Sequence, residues 1–320
     1  MRVLVTGAAG LVGKALLRRL SDYPFVQAIA VFRQFPRDLS VQTHVVKVAD
    51  LTSDFDWAET LCGVQTLVHC AARVHVMHDE SSDPLAEFRK VNVEGTLNLA
   101  RQAAEAGVRR FIFISSIKVN GEGTPVGSPY IADAQPAPAD PYGISKMEAE
   151  QGLRAIAAET GMEVVIIRPT LVYGPGVKAN FLSMMRWLHK GVPLPFGAIH
   201  NRRSLVALDN LVDLIMTCID HPAAANQTFL VSDGEDLSTT ELLRRMATAL
   251  GKPARLLPVP SWLLEAGAAM LGKKALSQRL CGSLQVDISK TRELLGWEPP
   301  ISVDAALRKT AKYFLEHHTR

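Results

Sequence analysis

Short apolar runs alternate with helix-spaced stretches through the first half of the chain. The runs at 3–5, 26–32, 43–48, 66–70, 110–115 and 163–168 are dominated by Val, Ile, Leu and Phe. Between them, near 10–20, 55–61, 84–106 and 142–160, apolar residues recur at the three-to-four spacing of a helix. Strands of this kind, each followed by a helix, predict a parallel sheet covered on both faces. After Pro169 the regularity breaks. Tyr173-Gly-Pro-Gly176, Gly191-Val-Pro-Leu-Pro195 and Phe196-Gly197 read as loops around a helix at 181–190, and a run at 227–232 rejoins the sheet. Residues 238–320 read as helices with proline-rich joints. The expected fold is α/β, a doubly wound parallel sheet with a smaller, discontinuous C-terminal lobe. Residues 1–170 with about 204–233 would form the sheet domain, and 171–203 with 234–320 the lobe. The stretch 256–271 is the most apolar of the late segments, but Pro258, Pro260 and Glu265 interrupt it. It is too short to span a bilayer and reads as a loop followed by a buried helix.

Composition narrows the class. A chain of 320 residues with 48% hydrophobic residues supports a large core and a satellite lobe. A net charge of +3 with no basic block gives no support to a nucleic-acid partner. Cys62, Cys70, Cys218 and Cys281 are scattered without metal-ligand spacing, so buried free thiols and no metal site are expected. The N-terminus enters a core strand at once, which leaves no signal peptide and predicts a cytoplasmic protein with no membrane partner.

The chemistry begins at Thr6-Gly7-Ala8-Ala9-Gly10-Leu11-Val12-Gly13, a glycine loop between the first strand and the first helix. That context makes it a dinucleotide loop and the fold Rossmann-type. Gly7 makes the tight turn, Gly10 lets the backbone approach a pyrophosphate, and Gly13 lets helix pack on sheet. The helix's first N–H groups, at Leu11 and Val12, face the phosphates. The second strand ends at Arg33, twenty positions beyond Gly13. A carboxylate there would indicate NAD, whereas Arg33, with Arg37 nearby, suits a 2′-phosphate, so NADP(H) is preferred and NAD(H) stays open.

Tyr142-Gly-Ile-Ser-Lys146 follows Ser115-Ser116 by 26 residues. On a helix Lys146 shares a face with Tyr142. A phenol of pKa ~10 would need roughly 4 kcal/mol of differential stabilisation to fall by about three units. Lys146 together with an oxidised nicotinamide ring would supply it. Tyr142 then acts as general acid or base, Lys146 tunes it, and Ser116 bonds the same substrate oxygen.

These residues resemble the extended short-chain dehydrogenase/reductases of the nucleotide-sugar epimerase, dehydratase and reductase group. The resemblance runs the length of the chain. Besides the motifs above it rests on Asp50-Leu51, Leu67-Val-His-Cys-Ala-Ala72, Val91-Asn-Val-Glu-Gly-Thr96, Phe113-Ile-Ser-Ser116, Arg168-Pro-Thr-Leu-Val-Tyr-Gly-Pro175 and Asp287-Ile-Ser-Lys-Thr-Arg-Glu-Leu-Leu-Gly-Trp297. It implies that Asp50 holds the adenine amine with Leu51 beside it, and that Cys70, Ala71 and Ala72 lie along the cofactor. It also implies that Asn92 supports the nicotinamide side and that Pro169 covers the ring. Asn180, Arg203 and Arg279 match family positions that face a nucleotide diphosphate, which two cations and an amide suit. A homodimer pairing the helices at 84–106 and 142–160 as a four-helix bundle is a further expectation.

Within that group Ile117-Lys118 stands where 4,6-dehydratases carry an Asp-Glu pair, which excludes dehydration. Ala72-Arg-Val-His-Val-Met77 resembles bacterial O-antigen enzymes that reduce UDP-4-keto-6-deoxy-N-acetylhexosamines, and Arg33 points the same way. A 4-reductase is therefore the main expectation. A UDP-glucose or UDP-N-acetylglucosamine 4-epimerase with bound NAD is the alternative. Reduction of another ketone, or a non-catalytic NADP sensor, follows less well from Tyr142, Lys146, Asn180 and Arg203. His75 and His78 read as ordinary loop histidines.

Overall fold

Val3, Leu4 and Val5 are fully buried because β1 (Arg2–Thr6) lies in the middle of a sheet with helices on both faces. A computed structural model describes residues 1–33, 44–48, 54–74, 83–270, 272 and 274–318. α1 (Leu11–Ser21) returns to β2 (Gln27–Phe32), and β3 (His44–Lys47) and α2 (Ala58–Leu61) lead to β4 (Thr66–His69). Then come α3 (Pro84–Arg89), a π-helical turn at Lys90–Gly95, α4 (Thr96–Glu105) and β5 (Arg110–Ile114). α5 (Pro141–Thr160) precedes β6 (Glu163–Pro169). These strands, with β9 (Thr228–Val231), form one parallel sheet of order β3-β2-β1-β4-β5-β6-β9. The expected Rossmann-type sheet is thus present, and every apolar run read as a strand falls in it.

The order reverses between β1 and β4, and the crevice beyond their C-terminal ends is where such sheets take ligands. β1 and β4 meet closely there. A Cβ on Gly7, whose φ is 66°, would stand 2.5 Å from the Ala71 nitrogen. A Cβ on Gly13 would stand 2.3 Å from the Gly7 oxygen, which is the close helix–strand approach its position requires.

The remaining strands, β7 (Leu171–Tyr173), β8 (Arg203–Ala207) and β10 (Asp236–Leu237), make a second sheet of order β10-β8-β7. α6 (Ala179–His189), α8 (Thr239–Ala249) and α12 (Val303–His318) bury Phe181, Met185, Leu243, Met246, Leu307 and Phe314 in a separate core. α7 (Leu208–Asp220), which the apolar pattern left unassigned, packs against α1 on one face of the large sheet. α4 and α5 cover the other. α9 (Ser261–Met270), α10 (Lys274–Cys281) and α11 (Ser289–Leu295) complete the chain.

Four expectations change. The helix expected at 84–106 is broken by the π-helical turn, which carries Asn92 inward. The helix at 55–61 shrinks to one turn, because Trp57 is buried against Phe55 before it starts. Of the four thiols only Cys218 is buried, since Cys62 is exposed and Cys70 and Cys281 are partly so. The late apolar stretch is helical as α9, but none of its residues is buried.

Gly13→Ala forces a methyl group into the α1–β1 contact. Denaturant titration is expected to show a loss of about 1–3 kcal/mol, and a wild-type midpoint would mean that α1 can move aside.

Candidate active site

α5 starts where the site starts. Asp140 caps it by accepting from the Gly143 N–H at 2.7 Å, Pro141 opens the first turn, and Gly161 (φ 75°) ends it. The first turns place Tyr142, Ser145 and Lys146 against the ends of β4 and β5. Ser116 leaves β5, and its hydroxyl is hydrogen-bonded to that of Tyr142. Lys146 Nζ donates to Ile114 O at 2.8 Å and sits 4.2 Å from the Phe113 ring centroid. The structure therefore brings together the three residues read as catalytic.

Burial governs their charges. It lowers Lys146 to about 7, while Glu150 and the Cys70 thiol oppose the fall. Burial also pushes Tyr142 up to about 12, Asp140 adds to the rise, and the Ser116 hydrogen bond works against it. The sequence reading expected Lys146 and a nicotinamide cation together to lower this phenol. In the protein alone, desolvation and Asp140 win. Asp140 is itself paired with Lys118, which also reaches Glu122 at 3.1 Å. Ile117 is buried in an apolar cluster with Ala132, Leu230 and Leu284. Both residues that replace the dehydratase pair thus have structural work.

One turn beyond Lys146, the carboxylate of Glu150 is fully buried. Its Oε1 accepts from Ser115 Oγ at 2.6 Å and Arg168 Nε at 2.9 Å. Its Oε2 accepts from Arg168 at 2.6 Å and Arg154 at 3.1 Å. Arg168 also donates to Asn120 Oδ1 at 3.0 Å and to Ala132 O at 3.3 Å. A second network runs through Asn92. Its Oδ1 accepts from the Arg73 N–H at 2.8 Å, and its amide donates to Arg73 O and Ser145 Oγ, both at 3.0 Å. Ser145 Oγ donates in turn to Tyr142 O at 2.8 Å. His69 pairs with Thr6 Oγ1 at 2.7 Å and Thr96 Oγ1 at 3.0 Å, joining β1, β4 and α4. Burial and the nearby Lys146 lower it to about 3, so it is neutral.

Sequence reasoning missed Glu150, Ser145 and His69 as site residues. The signal for Glu150 was its position four beyond Lys146. For Arg168 it was a cation ending an otherwise apolar strand.

The glycine loop fits a dinucleotide diphosphate. α1 begins at Gly10 with no side chain capping it, so the first N–H groups of the helix, at Leu11 and Val12, lack a side-chain acceptor. A Cβ on Gly10 would meet only the Gly7 oxygen, at 3.1 Å, which leaves its outer side open to a phosphate. Cys70, Ala71 and Ala72 follow β4 directly, with Ala71 against Gly7. Pro169 ends β6, buried and paired with Val231. Arg33 is exposed directly after β2. Asp50, Leu51, Arg37, His75 and His78 lie outside the described residues.

Asn180 is exposed on the first turn of α6, after Ala179, whose φ of 54° is uncommon for a residue with a Cβ. Arg203 opens β8 and donates to Gly282 O at 3.0 Å, just past α10, which carries Arg279. The Arg279 side chain is outside the described set. A groove of about 850 Å³ runs along α1 from Gly10 and Leu11 towards Lys178 and Tyr313, and its lining does not include Ser116, Tyr142 or Lys146.

Residues 3–232 match the NAD dependent epimerase/dehydratase family. The chain is 52% identical over 322 residues to a UDP-glucose 4-epimerase of Vibrio cholerae, covering 99% of this chain and 97% of that protein. It is 29% identical to an N-acetyl-α-D-glucosaminyl-diphospho-ditrans,octacis-undecaprenol 4-epimerase of Escherichia coli O157:H7, covering 98% and 96%. The fold matches a UDP-glucuronic acid 4-epimerase from Bacillus cereus in complex with NAD, with a TM-score of 0.81 at 20% identity, covering 100% and 98%.

Glu150→Gln removes a buried charge and strands Arg168. Stability is expected to fall by about 3–5 kcal/mol in a denaturant titration. The change also removes the group that raises Lys146, so the ammonium loses its proton at lower pH. The alkaline decline of activity should therefore begin at lower pH than in the wild type. An unmoved alkaline limb in folded variant would separate Glu150 from the charge of Lys146.

Proposed function

The chain belongs to the NAD dependent epimerase/dehydratase family, and from that premise we propose that it moves hydride between NAD and C4 of a UDP-linked sugar, as a 4-epimerase. The observation that carries this reading is the hydrogen-bonded Ser116–Tyr142 pair with Lys146 one turn along, beside the open N-terminus of α1. NAD, when bound, supplies the hydride acceptor and donor. Leu11 and Val12 would hold its diphosphate at the Gly7–Gly10 loop. Asp50 and Leu51 would take the adenine end. Cys70, Ala71, Ala72, Asn92 and Pro169 would shape the nicotinamide end. Asn180, Arg203 and Arg279 take the diphosphate of the sugar nucleotide.

Tyr142 removes the proton from the C4 hydroxyl as the C4 hydride leaves, with Ser116 bonded to the same oxygen. The 4-keto sugar then presents its other face, and Tyr142 returns the proton to the oxygen as hydride comes back to C4. Lys146 supplies positive charge next to the phenol throughout. Both curated relatives described above carry 4-epimerase names, which supports epimerisation over the 4-keto reduction favoured by the sequence alone.

Arg33 supports a second reading. No carboxylate closes β2, so a 2′-phosphate would find a cation there. This reading is an NADPH-dependent reduction of a UDP-4-keto-6-deoxy-N-acetylhexosamine in surface polysaccharide synthesis. In either reading the outer faces of α4 and α5, which interlock through Leu97 and Gly152, would pair two copies as a four-helix bundle.

Two incubations distinguish the readings. With UDP-glucose and NAD, formation of UDP-galactose is expected. Oxidation of NADPH by UDP-4-keto-6-deoxy-N-acetylglucosamine, with no turnover of UDP-glucose, would replace the epimerase by the reductase. Tyr142→Phe should lower turnover at least about a hundredfold and leave NAD affinity within about twofold. Near-normal turnover of that variant would remove Tyr142 from the chemistry.

A further inference from the structure

We propose that α9 docks this protein on an anionic membrane surface, lying in the headgroup region without crossing it. The inference goes beyond the reaction and does not rest on it. Ser261-Trp-Leu-Leu-Glu-Ala-Gly-Ala-Ala-Met270 has one charged residue, Glu265, and apolar residues on all sides. A helix apolar all round belongs inside a protein core or in lipid. α7 buries eight residues and α12 six, whereas α9 buries none. Trp262, Leu263 and Met270 are 64%, 46% and 83% exposed, and the preceding Leu257 is 52% exposed.

α9 packs beside α10 and still buries none of its own residues, and the chain on either side of this helix pair is tied to the lobe. Before it, Leu256 pairs with Leu194 and Pro260 with Ala198. At the end of α10, the Asn201 amide donates to Leu280 O at 3.2 Å and Gly282 O at 2.8 Å. The segment that pairs with Leu256 and Leu257 adds the exposed Val192, and Trp187 at the end of α6 is exposed as well.

The flanking charges choose the occupant. Lys252 and Arg255 precede the helix and are exposed. Lys273, Lys274 and Arg279 follow in sequence, and Glu265 is the one acidic residue from 252 to 279. That segment carries +4 in a chain whose net charge is +3, so the remainder is −1. A second copy would set these cations against their own kind. An anionic bilayer satisfies both features, with apolar side chains at the acyl boundary, Trp262 at the interface and the exposed Lys252 and Arg255 at the phosphates. Ten residues of helix span only about 15 Å. Among the described residues no helix is long and apolar enough to cross a membrane.

The full chain is to be floated with vesicles of phosphatidylcholine containing phosphatidylglycerol, and with phosphatidylcholine alone. Binding to the anionic vesicles is expected, weakened by salt, with tryptophan emission quenched by brominated lipid. The double variant Trp262→Ser, Leu263→Ser should bind at least about tenfold more weakly, with unchanged secondary structure and unchanged turnover of soluble UDP-sugar. Lys252→Glu with Arg255→Glu should weaken binding while leaving the apolar face intact. The proposal is overturned if neither vesicle type carries the protein, or if both carry it equally. Wild-type binding by the serine variant would overturn it too. So would a concentration-dependent dimer, without lipid binding, that the serine variant abolishes, since a second copy would then be the occupant.

Discussion

The buried pair of Glu150 and Arg168 fixes how α5 sits on the sheet. α5 carries Tyr142 and Lys146, β5 delivers Ser116, and a single carboxylate ties the helix to β5 through Ser115 and to β6 through Arg168. Apolar packing would hold α5 on the sheet with at least as much stability, because charges pay a desolvation cost that their attraction barely offsets. It would not define depth and rotation as sharply. One residue of rotation turns a helix by about 100°, enough to carry Tyr142 away from Ser116. The two-pronged guanidinium–carboxylate contact admits one geometry. Arg168 extends the constraint to Asn120 and Ala132, so the loop between β5 and α5 is set by the same pair.

The second network complements the first. Glu150 holds α5 from below the site, and Asn92 holds its first turn from the side through Ser145. The π-helical turn is the local cost of that contact. One extra residue in the turn brings Asn92 inward to meet both Arg73 and Ser145 while α3 and α4 keep their own faces buried. Lys118 and Asp140 close the remaining side, so the elements that carry Ser116, Tyr142 and Lys146 are each fastened by a polar contact beside them.

Legibility in the sequence followed the range of the interaction. The sheet order rests on runs such as 110–115 and 163–168, whose burial on both faces leaves a local pattern. Tyr142, Lys146 and the glycine loop are equally local, since their spacing within a few residues carries their meaning. Glu150 and Arg168 are 18 residues apart with a strand boundary between them, and neither position has a pattern that names the other. The π-helical turn was invisible because its residues keep ordinary helical spacing on either side. α9 was read as buried from its composition alone, and composition records what a helix avoids but not whether the fold provides a cover. The resting pKa of the phenol was illegible for a related reason: the lysine is visible at four residues' distance, whereas the desolvation that raises Tyr142 in the protein alone comes from the whole fold.

That desolvation gives the two halves of the proposed reaction their order. With its pKa pushed up to about 12, Tyr142 in the protein alone is a proton donor at neutral pH. Removing a proton from an alcohol requires the opposite. Bringing the phenol to neutrality takes about five pKa units, or roughly 7 kcal/mol. Lys146, lowered by burial to about 7, is only partly charged at neutral pH and does not offset that desolvation in the protein alone. An oxidised nicotinamide, when bound, would add the second positive charge that favours the phenolate. In the proposed reaction Tyr142 would therefore be a base only while both charges are present, when the sugar is the party to be oxidised. Once hydride has left C4, one of those charges is gone, and the phenol keeps its proton until the ketone calls for it. On that proposal the same side chain serves as base and then as acid, because its burial makes it an acid by default.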